Sequence, residues 1–170
     1  MLNLDGAKFD VETRELIYKL PEPFGPKKGE AILKIIAKPA SAQNPKFKAA
    51  LDKLLTTAKQ KDLLRQKEYQ RTDDVEVFIK SGEEDTRKTN LAIVSLQYDH
   101  CVEIWETDIQ SDGKTLESTK ENFIALSEFP HPVLAKIFMR FKDDLTDFTK
   151  WQGEVEKSLE EEELGNSKSS

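Results

Sequence analysis

Apolar residues follow two different rhythms along this chain. From Glu12 to Leu20, and again from Ala31 to Lys38, short runs rich in Leu, Ile and Tyr read as β-strands. Between them lies Pro21-Glu22-Pro23-Phe24-Gly25-Pro26-Lys27-Lys28-Gly29. Three prolines and two glycines exclude a helix there and predict a long hairpin loop. A two-stranded hairpin alone is marginal in water, so this one must pack on the rest of the chain or pair with another chain.

From residue 45 the rhythm becomes helical. Asn44 is a good N-cap, and Pro45 suits the first helical position, where its missing N–H costs nothing. Phe47, Leu51, Leu54 and Ala58 form one apolar stripe. Beyond Ala58 the stripe weakens and Lys59 to Arg71 is mostly polar. Residues 45–71 carry eight basic and three acidic side chains, a local net of +5, so the far part is expected to project into solvent or to meet an acidic partner. From Asp73 to Gly82 the pattern is ambiguous. Val75, Val77 and Ile79 alternate as in a strand, a short helix fits equally, and Gly82 ends the element in either case.

A second long helix is predicted from about Glu83 to Trp105, with Leu91, Val94, Tyr98, Cys101, Val102 and Trp105 facing a core. Asp108 to Glu117 reads as a connector that turns at Ser111-Asp112-Gly113. Ser118-Thr119-Lys120-Glu121 has the form of a capping box and opens a short helix with Phe123, Leu126 and Phe129 on its apolar side. Pro130-His131-Pro132 breaks that helix. The last helix is expected from Pro132 to Glu163, marked by Leu134, Ile137, Phe138, Phe141, Leu145, Phe148, Val155 and Leu159. It would be about 45 Å long at 1.5 Å per residue. The expected fold is therefore mainly α with a small N-terminal β hairpin, α+β in class, its helical domain elongated. The expected divisions are a hairpin region over 1–40, a helical domain over 41–163 and a disordered tail over 164–170.

Composition narrows the function. Charged residues make up 34% of the 170 and hydrophobic residues 37%, a balance that suits helices with a large exposed surface. No apolar run approaches the ~20 residues that span a bilayer, so no membrane role is expected. Met1-Leu2-Asn3-Leu4-Asp5 has neither the basic start nor the apolar stretch of a secretory signal, and a single cysteine cannot staple the chain, which points to a reducing cytoplasm. The net charge of −6 argues against a nucleic-acid partner, although Lys46 to Arg71 is locally basic.

No residue set reads as a reaction centre. His100 and His131 with Cys101 do not make a tetrahedral zinc site. His100 and Cys101 are adjacent, so on a helix they point about 100° apart and cannot act as a base–nucleophile pair. Asp108, Asp112 and Gly113 lack the alternating carboxylates of a calcium loop. Asp143, Asp144 and Asp147 read as a solvated helix face. The expectation is a non-enzymatic protein without cofactor or metal, working by contact with other proteins.

Several features from about Asn90 to Ser170 occur together in one order. A helix ends in Val102-Glu103-Ile104-Trp105-Glu106, and a linker holds Asp112-Gly113-Lys114. Ser118 to Asn122-Phe123 opens a short helix, Phe129-Pro130 breaks it, and a helix with Asp143-Asp144 and Phe148 follows. A charged tail ends in Asn166-Ser167 and further serines. With Asn44-Pro45-Lys46-Phe47 leading from β structure into a helix, this order resembles the tail assembly chaperones of long-tailed bacteriophages. The resemblance implies a protein of the host cytoplasm that binds the tape measure protein, keeps it soluble, helps recruit tail tube protein and is absent from the mature virion. Many such chaperones are made in two lengths by a ribosomal frameshift, and this chain would be the short form. The alternatives are a permanent head–tail joining or tail completion subunit, or a small nucleic-acid-binding regulator.

A holding protein needs an apolar seam with charged flanks. The stripe past Phe148 enters a segment with six Glu and one Lys between Glu154 and Glu163. Trp151, Val155 and Leu159 are therefore the predicted partner-binding residues, for a helical client or for self-association with a second copy.

Overall fold

The computed structural model describes residues 13–41, 44–147 and 151. The hairpin forms as its pattern predicts. β1 (Arg14–Leu20) runs antiparallel to β2 (Ala31–Ala37), with Arg14 opposite Ala37 and Leu20 opposite Ala31. In the connecting loop, a Cβ on Gly25 would overlap the Glu30 carbonyl, so only glycine fits there.

The hairpin gains a third strand that periodicity does not predict. The second long helix ends at Cys101, and Val102–Thr107 forms β3, antiparallel to β2, giving the order β1-β2-β3. The reading of a helix through Trp105 is corrected here. Helical continuation would leave the second edge of β2 unpaired, whereas Val-Glu-Ile-Trp-Glu-Thr is a good strand composition and satisfies that edge. Trp105 is core in both readings, but it reaches the core from a strand, opposite Ile35.

The alternation of side chains gives the sheet one dry face. Leu16, Tyr18 and Leu20 of β1, and Ala31, Leu33, Ile35 and Ala37 of β2, point inward, while Ile17, Ile32 and Ile104 stay exposed. α3 (Lys120–Glu128) and α4 (Pro132–Thr146) contribute Phe123, Leu126, Leu134, Ile137, Phe138, Phe141 and Leu145 to the same core. Phe123, fully buried, is the hub. Its ring lies 5.3–5.7 Å from those of Tyr98, Trp105, Phe138 and Phe141. Phe129, assigned from the sequence to the apolar side of α3, is instead exposed beyond the helix end. The hairpin and the helices share one core: the Tyr18 hydroxyl donates to Asp144 Oδ2 of α4 at 2.8 Å across the interface.

α1 (Pro45–Thr72) starts where predicted, with Asn44 Oδ1 accepting from Phe47 N at 3.3 Å. It ends at Asp73, whose left-handed backbone (φ 55°) turns the chain. Asp74 then caps α2 (Val75–Cys101) by accepting from Val77 N at 3.0 Å. The ambiguous stretch after Asp73 is thus helix, and Gly82 lies inside α2 rather than at an end. α3 is capped by Thr119, which accepts from Asn122 N at 3.2 Å, and not by Ser118. A small hairpin, β4 (Gln110–Ser111) with β5 (Lys114–Thr115), fills the predicted connector and turns at Asp112-Gly113.

α4 stops at Thr146, so one helix through Glu163 does not form. Asp147 is extended, and the indole Nε1 of Trp151 donates to the Asp144 carbonyl at 3.0 Å. On a continuous helix those residues would stand about 10 Å apart along the axis. Trp151 instead sets its indole against the end of α4. No helix among the described residues is long and apolar enough to cross a membrane.

Candidate partner-binding surface

Of the three predicted partner residues, the structure places one. Trp151 is buried, 5% exposed, and belongs to the hydrophobic core. Its ring is therefore not an accessible anchor, and that assignment is corrected. The physical reason is that α4 ends at Thr146 and the indole lies against that end rather than on a continuing helix face. Val155 and Leu159 lie outside the described residues, as does the acidic segment around them.

The polar candidates are engaged structurally. The Cys101 thiol is buried between Asn44 Nδ2 and the Pro39 carbonyl, each at 3.8 Å, and burial pushes its pKa up to about 12, so it is a poor nucleophile. The His131 side chain caps α4 by accepting from Val133 N at 3.3 Å and stacks edge-on against Phe24. His100 contributes its backbone carbonyl, which accepts from Asn44 Nδ2 at 2.9 Å. Asp108 Oδ1 accepts from Ile32 N at 2.5 Å and ties the connector to β2. Asp144, expected on a solvated face, is buried, with Tyr18 as a donor and Arg140 Nε at 3.9 Å. Among the described residues no group of three or more His, Cys, Asp or Glu side chains could hold a metal ion.

What the fold does present is an arm. α1 and α2, of 28 and 27 residues, are joined by a two-residue turn and pack side by side. Their buried residues lie near one end only: Phe47 on α1, and Val94, Gln97 and Cys101 on α2. From Leu51, which packs on the core, to Thr72 is about 30 Å of helix beyond the core.

The contact between the two helices changes character along the arm. Near the core, Leu51 and Val94 belong to the apolar cluster. Farther out, Ala58, Asp62 and Arg65 face Gly82, Asp85 and Thr89 across a cavity of about 230 Å³. Arg65 bonds Asp62 and lies over the Phe78 ring, 4.9 Å from its centre, and Tyr69 packs on the same ring at 4.8 Å. The Arg65 guanidinium lies against Gly82, and a Cβ there would require only that flexible side chain to shift. While polar groups occupy the seam, aliphatic groups stand outside it. Leu55, Leu63 and Leu64 on α1, and Val75, Val77 and Ile79 on α2, are 46–65% exposed. Helical spacing spreads these six around the arm, with Val77 about 160° from Val75 and Ile79, so the arm exposes aliphatic side chains on more than one face.

Sequence reasoning expected the far part of α1 to project but missed α2 packed along it, because the stretch from Asp73 to Gly82 read two ways. The Asp73-Asp74 pair between two long helical segments was the available signal, since one residue tolerates a left-handed backbone and the other caps. Comparison with protein families, with curated proteins and with solved structures finds no match to this chain.

Proposed function

We propose that this protein is the short form of a tail assembly chaperone of a long-tailed bacteriophage. In this reading it holds the tape measure protein in solution in the host cytoplasm, helps bring tail tube protein to it, and leaves before the virion is complete. The order of motifs from Asn90 to Ser170 motivates the reading, with Val102–Thr107 following its helix as a strand. The observation that carries it is the α1–α2 arm, whose aliphatic side chains face solvent while its own seam is partly polar. A helical client can pack apolar side chains against one of these exposed faces, and the lysines around it keep the unloaded protein soluble. The work asked of the protein is binding, so no cofactor enters.

The test is co-expression with the tape measure protein of the same phage. The parent protein should keep that client soluble and co-purify with it. Leu63→Asp, Leu64→Asp and Val77→Asp combined should fold, because all three side chains are about half exposed or more, yet lose the client. Insoluble tape measure protein in the presence of the parent chain would sink the proposal. Stoichiometric recovery of this chain from purified virions would replace it with the permanent structural subunit.

A further inference from the structure

α1 carries more positive charge than its own acids neutralise. Lys48, Arg65 and Arg71 pair with Asp52, Asp62 and Glu68 on the same helix. Lys46, Lys53, Lys61 and Lys67 make no ion pair among the described residues and are exposed, as is Lys59 on another face of the helix. Spacings of seven, eight and six residues keep these four within a sector of about 120° on the helix surface. Leu64, 65% exposed, lies five whole helical turns from Lys46 and so falls in the middle of that sector. The result is a basic stripe with an apolar centre on the side of α1 turned away from the core.

The described chain leaves the core beside the root of this helix. Trp151 bonds the Asp144 carbonyl, and the neighbouring Leu145 carbonyl accepts from Ala40 N at 2.8 Å. A turn from Ser41 to Asn44, closed by a 2.9 Å bond, leads from there directly into α1. Three residues after Trp151 begins Glu154-Val155-Glu156-Lys157-Ser158-Leu159-Glu160-Glu161-Glu162-Glu163, with net charge −5. Twelve residues reach at most about 40 Å, and Lys46 to Lys67 spans about 32 Å of helix.

We propose that residues 154–163 dock on the basic stripe of α1 in the same molecule. Their glutamates lie in an extended course along Lys46, Lys53, Lys61 and Lys67. The occupant follows from charge and tethering. Opposite charges attract within a Debye length, ~8–10 Å at physiological salt. A short tether supplies an effective concentration on the order of millimolar. A weak contact is then well populated within one molecule, whereas the same contact between copies at micromolar concentration is nearly empty. Docking would leave α1 covered by its own chain until a stronger anionic or amphipathic segment displaces it. This inference does not depend on the identity of the client.

Zero-length carbodiimide coupling of Lys to Glu in the full-length protein tests it. A 1:1 mixture of ¹⁴N- and ¹⁵N-labelled chains at low micromolar concentration is coupled, digested and read by mass spectrometry. Peptides spanning 154–163 should be joined to peptides bearing Lys46, Lys53, Lys61 or Lys67, with both halves of one isotope. Their yield should fall at least tenfold in 1 M NaCl. Lys53→Glu, Lys61→Glu and Lys67→Glu combined, all at exposed positions, should remove the remaining link to Lys46 as well, with an unchanged circular dichroism spectrum. Mixed-isotope links would overturn the proposal in favour of docking between copies. Equal coupling to lysines elsewhere, no coupling, or persistence of the Lys46 link in the triple variant would each overturn it outright. Nucleic acid retained on the stripe through purification and blocking the coupling would overturn it too.

Discussion

Tyr18→Phe removes one oxygen atom from the join between sheet and helix. Tyr18 is 3% exposed, and its hydroxyl donates to Asp144 Oδ2 at 2.8 Å, in a site where the carboxylate is itself 8% exposed. The ring should stay where it is, edge-on to Phe141 at 6.5 Å, because phenylalanine has the same shape. The loss is therefore confined to one hydrogen bond to a charged acceptor, worth about 1.5–3 kcal/mol. For a chain of this size each kcal/mol moves the melting midpoint by about 2–4 °C. The variant should melt roughly 4–8 °C below the parent at pH 7, as followed by circular dichroism. The same bond carries a pH signature. Burial first, and the bond to Asp144 second, hold the Tyr18 hydroxyl far above its ordinary value of 10.0. A group whose pKa is raised by folding contributes stability that is whole below the unfolded value and is lost as pH rises past it. Parent and variant should therefore converge at high pH, the gap narrowing by about 1.4 kcal/mol between pH 9 and pH 11. Cys101 titrates alike in both proteins and cancels in the difference. Equal midpoints at pH 7, or a gap that stays constant to pH 11, would refute the reasoning.

Trp151→Ala should cost about 3–5 kcal/mol as a core truncation, and thus lower the thermal midpoint by about 10 °C; a change under 2 °C would return Trp151 to the surface. Thr119→Ala should lose about 1 kcal/mol of stability in urea titration, while Ser118→Ala stays within about 0.5 kcal/mol, and the reverse order would move the cap of α3. The Cys101 thiol should resist a thiol-reactive dye in the native state and react once per chain in denaturant. Because its raised pKa contributes stability present below its ordinary 9.0 and lost above it, Cys101→Ala should flatten the alkaline loss of stability between about pH 9 and 12, which urea titrations across that range would show.

The parts of this fold that local chemistry dictates are visible in the chain itself. Prolines and glycines bracket the hairpin, Asn44-Pro45 starts α1, and Pro130-His131-Pro132 separates α3 from α4, because each acts through its own backbone angles or the nearest N–H groups. The mainly α class with a small hairpin follows from those signals alone. Other features depend on partners distant in sequence. Whether Val102–Thr107 continued as helix or became strand was decided by the free edge of β2, some seventy residues away. That α4 ends at Thr146, with the Trp151 indole against the Asp144 carbonyl, does not show in an apolar stripe that runs on past Phe148. Asp144 itself looked like one of three solvated carboxylates until Tyr18, on another element, placed a donor against it. The arm needed both kinds of information: capping chemistry at Asp73-Asp74 was local, but only the packing of α1 on α2 revealed which aliphatic side chains the seam leaves outside. Periodicity reports which face of an element is apolar. What covers that face depends on contacts between distant segments, and these arise only when the whole chain has folded.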